Sequence, residues 1–163
     1  VQRITPNLWF DTQAEEVANF YVSIFPNSKI TGISHYGEAG AKVSGMKKGS
    51  VLTVAFELDG QQMLALNGGS AFKFNEAVSL IVNCMTQDEI DHYWDSLSQD
   101  GDPKAQVCGW LKDKYGVSWQ VVPVVLGEMM LDEDPVKTER VMVAFLKMKK
   151  LNIAKLKKAY LGK

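Results

Sequence analysis

The sequence predicts an α+β fold of paired β-α-β-β-β modules followed by a C-terminal helical tail. Three observations predict it. A strand leading into a Thr-Gln capping box and then an aromatic helix face occurs twice, 74 residues apart. Asp59-Gly60 lies between two strand-like runs, the strongest short hairpin signal. The strand period stops at Pro123, and apolar residues then recur at helical spacing. At 163 residues and 46% hydrophobic content, the chain can bury a core and is too apolar to be disordered throughout.

The elements follow in order. Residues 4–10 read as a short strand, and Thr12-Gln13-Ala14-Glu15 as the capping box that opens the first helix. Val17, Tyr21 and Ile24 form that helix's stripe, with Phe20 and Phe25 beside it, and Pro26-Asn27 ends it. Residues 29–36 make a second strand. The Gly- and Lys-rich stretch 37–49 reads as a mobile loop. Residues 51–58 and 61–67 are the hairpin strands. The grammar then returns: strand 78–84, capping box Thr86-Gln87-Asp88-Glu89, and a helix with Ile90, Tyr93, Trp94 and Leu97 as its stripe. Gln99-Asp100-Gly101-Asp102-Pro103 stops it, and strands are expected at 105–111 and 117–122. The expected organisation is one domain over 1–123, with modules at about 4–67 and 77–122, and a helical extension over 124–163. Val141, Phe145 and Met148, then Leu156 and Tyr160, set the helical spacing of that extension.

Charge and composition exclude several classes. The net charge of −1 is unevenly placed. From Lys137 to Lys163 nine basic residues face one acid, Glu139, for +8, and the remainder carries nine basic and eighteen acidic residues, for −9. Such a body is not a nucleic-acid-binding domain, and the tail lysines read as a solvated helix face or as docking onto the acidic body. No apolar run is long enough for a membrane-spanning helix, and the opening residues have no signal-peptide pattern. Cys84 and Cys108 are too few for a disulfide scaffold and have no zinc spacing; they read as two buried thiols of a cytoplasmic protein.

A two-residue Asp-Gly turn fixes the hairpin register. It pairs Leu58 with Gln61, Phe56 with Met63, Val54 with Ala65 and Leu52 with Asn67 on one face, leaving Ala55, Leu64 and Leu66 on the other. Both faces are largely apolar, so both are expected to be covered. One packs helices; the other meets a second sheet, a partner chain or a ligand.

Specific stretches carry a family resemblance. LWFDTQAEEVANFYVSIFPNSKI, FELDGQQMLALNGGSAFKFNEAVSLIVNC and CGWLKDKYGVSWQVVP, spread over residues 4–123, resemble the PhnB-like family, which bears the description 3-demethylubiquinone-9 3-methyltransferase. That family lies in the vicinal oxygen chelate superfamily, the glyoxalase/bleomycin-resistance/dioxygenase fold. The resemblance implies two strongly curved sheets forming an open barrel-like cup, with helices outside and function inside. It also implies, in metal-dependent relatives, four ligands from the first and last strands of each module, typically His and Glu, holding a divalent Lewis acid. The matched positions here are Pro6, Met63 or its neighbour Ala65, Ala77 and Gln120, none suited to a hard cation. A slip of a residue or two reaches only Thr5, Asn67, Ser79 or Ser118.

Other chemistry-bearing residues have plain structural readings. Glu15-Glu16 and Asp88-Glu89 complement first helical turns. His35 ends a strand and His92 lies on a helix, both read as half-exposed. Trp9, Trp94 and Trp119 read as core, and Trp110 as the best stacking candidate. No glycine-rich strand-to-helix turn marks a site for S-adenosylmethionine, so a methyltransferase has no support in the residues.

The leading expectation is a metal-free small-molecule-binding protein with no cofactor. Its pocket would be lined by Phe56, Met63, Ala65, Asn67, Ser79, Ser118 and Gln120, with Phe72, Phe74 and Trp110 at the rim. The alternatives are a metal-dependent or substrate-assisted lyase, isomerase or dioxygenase, and a pure interaction module. A homodimer is expected, as relatives commonly form.

Overall fold

A computed structural model describes all residues, Val1–Lys163. It is a mixed α+β structure with two open sheets, and the chain divides into two compact units, Val1–Phe74 and Asn75–Lys163.

The first unit runs β1 (Asn7–Phe10), α1 (Ala14–Ile24), β2 (Lys29–His35), α2 (Glu38–Ser44), β3 (Val51–Leu58) and β4 (Gln61–Asn67). The sheet order is β1-β4-β3-β2, with β1 parallel to β4 and the other pairs antiparallel. The hairpin has the register the Asp-Gly turn dictates, including Phe56 opposite Met63 and Val54 opposite Ala65. Helix α1 lies on one face of β3 and β4. Its buried Val17, Ala18, Tyr21 and Ile24 meet a strand ladder whose Leu8, Phe10, Val54, Phe56, Met63 and Ala65 are also buried. The Tyr21 and Phe56 rings lie 6.4 Å apart.

Two local expectations for this unit are corrected. Thr12 does not cap α1, whose N-cap residue is Gln13 and makes no side-chain cap bond. The end of β4 lies beside the end of β1, with Asn67 opposite Phe10, and Asn67 Oδ1 accepts from the Ala14 amide at 2.8 Å. A residue 53 positions away thus replaces the local cap. The stretch 37–49 is not wholly loop: Glu38–Ser44 is helical, closed by Gly45 in the left-handed conformation (φ 74°). Ala39, Ala41, Lys42 and Glu38 are good helix formers, and the flanking glycines hid them.

The second unit runs β5 (Leu80–Cys84), α3 (Gln87–Ser98), a 3₁₀ turn (Pro103–Ala105), β6 (Trp110–Lys112), β7 (Ser118–Pro123), α4 (Val124–Met130), α5 (Pro135–Phe145) and α6 (Ile153–Leu161). Its sheet order, β5-β7-β6, repeats β1-β4-β3 with the same parallel and antiparallel sense. The second capping box forms as expected: Thr86 Oγ1 accepts from the Glu89 amide at 3.2 Å, and Glu89 Oε2 from Thr86 N at 3.4 Å. Ile90, Trp94 and Leu97 of α3 are buried, as are Val82, Cys84, Leu111, Trp119 and Val121 of the sheet. Burial first, and Glu89 second, push the Cys84 thiol up to about 11, so it stays a neutral thiol at physiological pH.

The second module has three strands, one short of a full β-α-β-β-β unit, and the strand expected over 105–111 is cut to Trp110–Lys112. Cys108 (φ 52°) and Gly109 (φ 83°) turn the chain left-handed at consecutive residues, so the run expected over 105–111 pairs regularly only from Trp110. Val107 keeps an isolated bridge to Trp110. Cys108 is half-buried, not fully buried as expected.

The tail packs on this second unit. Leu126, Met129, Val141, Leu151 and Leu156 form its core. The left-handed turn points two amides at it: Cys108 N donates to Met148 O and Gly109 N to Lys149 O, each at 2.8 Å. The Gln87 amide closes a second clamp, donating to Leu151 O at 3.2 Å and accepting from Ile153 N at 2.9 Å. Lys150 reaches Asp91 at 3.2 Å and Asp95 at 2.9 Å. The Gln87 amide and Lys150 hold the Asp91 carboxyl below the usual range. A Cβ on Gly109 would stand 3.0 Å from Leu151 Cδ1 and 3.1 Å from Val121 O, on a backbone that side chains rarely adopt. Gly109→Ala is expected to loosen the tail by about 1–3 kcal/mol. Hydrogen exchange of the α6 amides, about tenfold faster per 1.4 kcal/mol, reads this out, and unchanged protection there would refute it.

Candidate functional sites on the open sheet faces

In the first unit the face of the sheet opposite α1 has no helix packed on it from within the unit, and strand register sets its residues. Trp9, Leu66, Thr53 and Ser34 form one row, and Asn7, Leu64, Ala55 and Gly32 the next. Glu57, with Gln62 opposite, ends the face in an ion pair to Lys29 at 3.8 Å. Leu64, Leu66, Ala55 and Thr53 are only half-buried. The Ser34 and Thr53 hydroxyls bond each other.

Trp9 is the largest side chain of this face, and the Asn-Gly-Gly segment holds it. Its Nε1 donates to Gly69 O at 2.9 Å, and its ring lies so close over Gly68 that a Cβ there would fall 2.1 Å from the indole. Phe72, 66% exposed, meets the ring edge-on at 5.0 Å. Trp9 therefore belongs to the uncovered face, a correction to its reading as core.

The sequence-derived lining divides by face. Phe56, Met63, Ala65 and Asn67 lie on the α1 side, each no more than 4% exposed. Packing against α1 occupies the first three. Asn67 caps the helix through Oδ1 and donates Nδ2 to Val51 O at 3.1 Å. The face assignment was inverted because both faces are apolar, and the alternation that separates them does not say which one the helix takes. The usable signal is the polar residues on one of them, Thr53, Glu57 and Gln62: the face with polar groups among its apolar ones is the unpacked one. Of the two rim phenylalanines, Phe72 stands on the open face, while Phe74 packs on buried Phe10 at 5.1 Å.

In the second unit the expected residues do come together. Gln120 lies between Ile81 and Trp110 across the strands, and Ser118 opposite Lys112, so these side chains share the face away from α3. Gln120 Nε2 donates to Ser79 Oγ at 2.9 Å. Ser118 is 2% exposed and its Oγ has no hydrogen-bond partner. Ile81, 56% exposed, and Lys112, ion-paired to Glu76, are members the sequence reading missed.

These positions do not fit the superfamily's metal. Pro6 offers its carbonyl to Leu64 N at 3.0 Å, Met63 is in the core under α1, and Ala77 is exposed with no donor of its own. Gln120 is a neutral amide already bonded to Ser79. His35 and His92 are exposed, outside these rows, and no group of three or more His, Cys, Asp or Glu side chains is placed to hold a metal ion.

The family described as 3-demethylubiquinone-9 3-methyltransferase matches the chain over residues 2–122. The chain belongs to this PhnB-like family. A Bacillus cereus protein described as a 3-demethylubiquinone-9 3-methyltransferase, PhnB protein, is 41% identical; the match covers 76% of this chain and 100% of that one, with a TM-score of 0.64. Two more distant structures show the shared fold alone. They are PA1353 from Pseudomonas aeruginosa (17% identity, 76% and 98% of the two chains, TM-score 0.57) and the fosfomycin resistance protein FosX from Listeria monocytogenes (13%, 81% and 98%, TM-score 0.54). The fold is that of the vicinal oxygen chelate superfamily. A search of curated proteins finds no match. The PhnB-like match ends where the tail helices begin, so α4 to α6 lie beyond it. No helix is long and apolar enough to cross a membrane.

Proposed function

We propose that this PhnB-like chain binds a small organic molecule on the open faces of its sheets, without a divalent metal, as a cytoplasmic homodimer. The observation that carries this reading is the Trp9 corner. A glycine with no room for a Cβ and a carbonyl acceptor hold an indole beside an exposed phenylalanine, on a face where α1 does not pack. Apolar area with a few polar orienting groups is the chemistry of a ligand site. Here Trp9, Phe72, Leu64 and Leu66 supply the area and Ser34 and Thr53 the hydroxyls. On the second sheet Trp110, Ser79, Ser118 and Gln120 play the same parts. Methyl transfer is not part of the proposal, because the turns from β1 to α1 and from β5 to α3 contain no glycine.

Native mass spectrometry of protein purified gently from its source tests this reading. The expected result is an organic ligand at one per chain, retained by wild type and lost from Trp9→Ala, whose affinity should fall about 10–100-fold, since a stacked aromatic contributes about 1–3 kcal/mol. A species at twice 18.1 kDa is expected, and a monomer at all micromolar concentrations would remove the dimer. One zinc, nickel, manganese or iron per chain after dialysis, lost in Gln120→Ala, would overturn the metal-free reading in favour of a metal-dependent enzyme. A dimer with no ligand on either face would leave an interaction module.

A further inference from the structure

The face of the second sheet away from α3 is rich in hydrogen-bond donors and holds one cation. Ser79 Oγ accepts from Gln120, so its own O–H is left to donate. The buried Ser118 hydroxyl has no partner. Lys112, directly across the strand pair from Ser118, brings an ammonium with three donors; its side chain is 26% exposed. Side chains opposite each other in an antiparallel pair have Cβ atoms about 4.5–5.5 Å apart. Trp110, across from Gln120, adds a planar apolar wall. Glu76 is the carboxylate that meets this set: it pairs with Lys112 from the segment before β5, with a side chain 64% exposed. The Glu76 end of this pair faces solvent, where an ion pair contributes little and the carboxylate is readily exchanged.

We propose that this face is a subsite for the carboxylate of a planar organic ligand, and that Glu76 is its built-in competitor, occupying Lys112 until the ligand takes its place. The inference deepens the small-molecule reading and rests on it. A carboxylate replacing that of Glu76 on Lys112 finds the Ser118 hydroxyl as the donor for its second oxygen and Trp110 for its ring. One ammonium matches one negative charge, whereas a dianionic phosphate would leave a charge unpaired. Glu76 is the group whose carboxyl Lys112 already holds below the usual range, first through the hydrogen bond, so the lysine's preference for an anionic oxygen is visible in the pair itself.

The test titrates the full chain with 2-naphthoate, its neutral isostere 2-naphthamide and inorganic phosphate, reading NMR shifts of the Trp110 indole and the Gln120 side-chain amide. Wild type should bind naphthoate about tenfold more tightly than naphthamide, a difference of about 1.4 kcal/mol, and phosphate more weakly than naphthoate. Glu76→Gln, at an exposed position, should tighten naphthoate about three- to tenfold and leave naphthamide unchanged, as expected when a competing charge is removed. Lys112→Met should reduce naphthoate to the naphthamide level. Equal affinities for the two naphthyl probes, with Trp110 shifting for both, would overturn the carboxylate subsite and leave the small-molecule reading standing. Naphthoate binding unaltered or weakened in Glu76→Gln would overturn the competitor. No shift with any probe would sink the subsite together with the small-molecule reading of this sheet.

Discussion

Asp113→Ala is expected to lower the stability of the second unit by about 3–5 kcal/mol. Asp113 is 3% exposed and lies in the turn between β6 and β7. Its Oδ1 accepts from Tyr115 N at 2.9 Å and Val117 N at 3.0 Å, and its Oδ2 accepts from Trp119 Nε1 at 2.9 Å. Its carbonyl accepts from Gly116 N at 3.0 Å, and Gly116 has φ 88°, so backbone and side chain close the turn together. Removing the carboxylate strands three donors, two of them in the buried interior, at about 1–3 kcal/mol each where water cannot reach. Asp113→Asn should cost less, because one amide oxygen can keep either the turn amides or the indole, while its NH₂ then meets a donor. Because the chain has two units, the measurement is hydrogen exchange on the β6 and β7 amides alongside urea unfolding followed by tryptophan fluorescence. A loss below about 1 kcal/mol would show that the turn holds without its carboxylate.

Asn67→Ala is expected to destabilise the first unit by about 2–4 kcal/mol. Ala14 is fully buried, so its amide, deprived of Oδ1, has no replacement from water. The Val51 carbonyl loses its Nδ2 donor at the same time. The Tyr36 hydroxyl bonds the Asn67 carbonyl, which any residue would retain, so that contact should survive. Asn67→Asp keeps the acceptor and turns the lost donor into a carboxylate oxygen facing a carbonyl, and it should be at least as damaging as alanine. Exchange protection of the first turn of α1 is the discriminating readout. If Asn67 were instead a ligand contact, both variants would leave that turn protected and alter only ligand retention.

Much of this architecture could be read along the chain because its causes are local. The Asp59-Gly60 turn dictates a hairpin register within two residues of itself, and Thr86 and Glu89 satisfy each other within one helical turn. The loss of strand period after Pro123 marks the tail for the same reason, since Pro123 ends β7 and α4 starts at the next residue. The absence of a metal donor set at the matched positions is likewise a matter of residue identity.

What tertiary structure decided lies at longer range. The choice between two apolar sheet faces depends on where α1 packs, and alternation is silent on it; this moved Phe56, Met63 and Ala65 from the expected pocket into the core and brought Trp9 out. Asn67 took over the cap of α1 because parallel pairing sets the end of β4 beside the end of β1, which brings its side chain to Ala14, 53 residues away in sequence. Left-handed backbone at Cys108 and Gly109 shortened the strand expected over 105–111 and gave the tail its dock, against Met148, Lys149 and Leu151, which the strand-like run does not contain. By itself the sequence determined the turns, the local Thr86–Glu89 cap, the strand periods and the family of this protein, because those follow from the identity of neighbouring residues. Which face is free, which donors meet there and what holds each helix end were decided only in three dimensions, because a buried polar group is satisfied by whatever the fold brings within 3 Å of it.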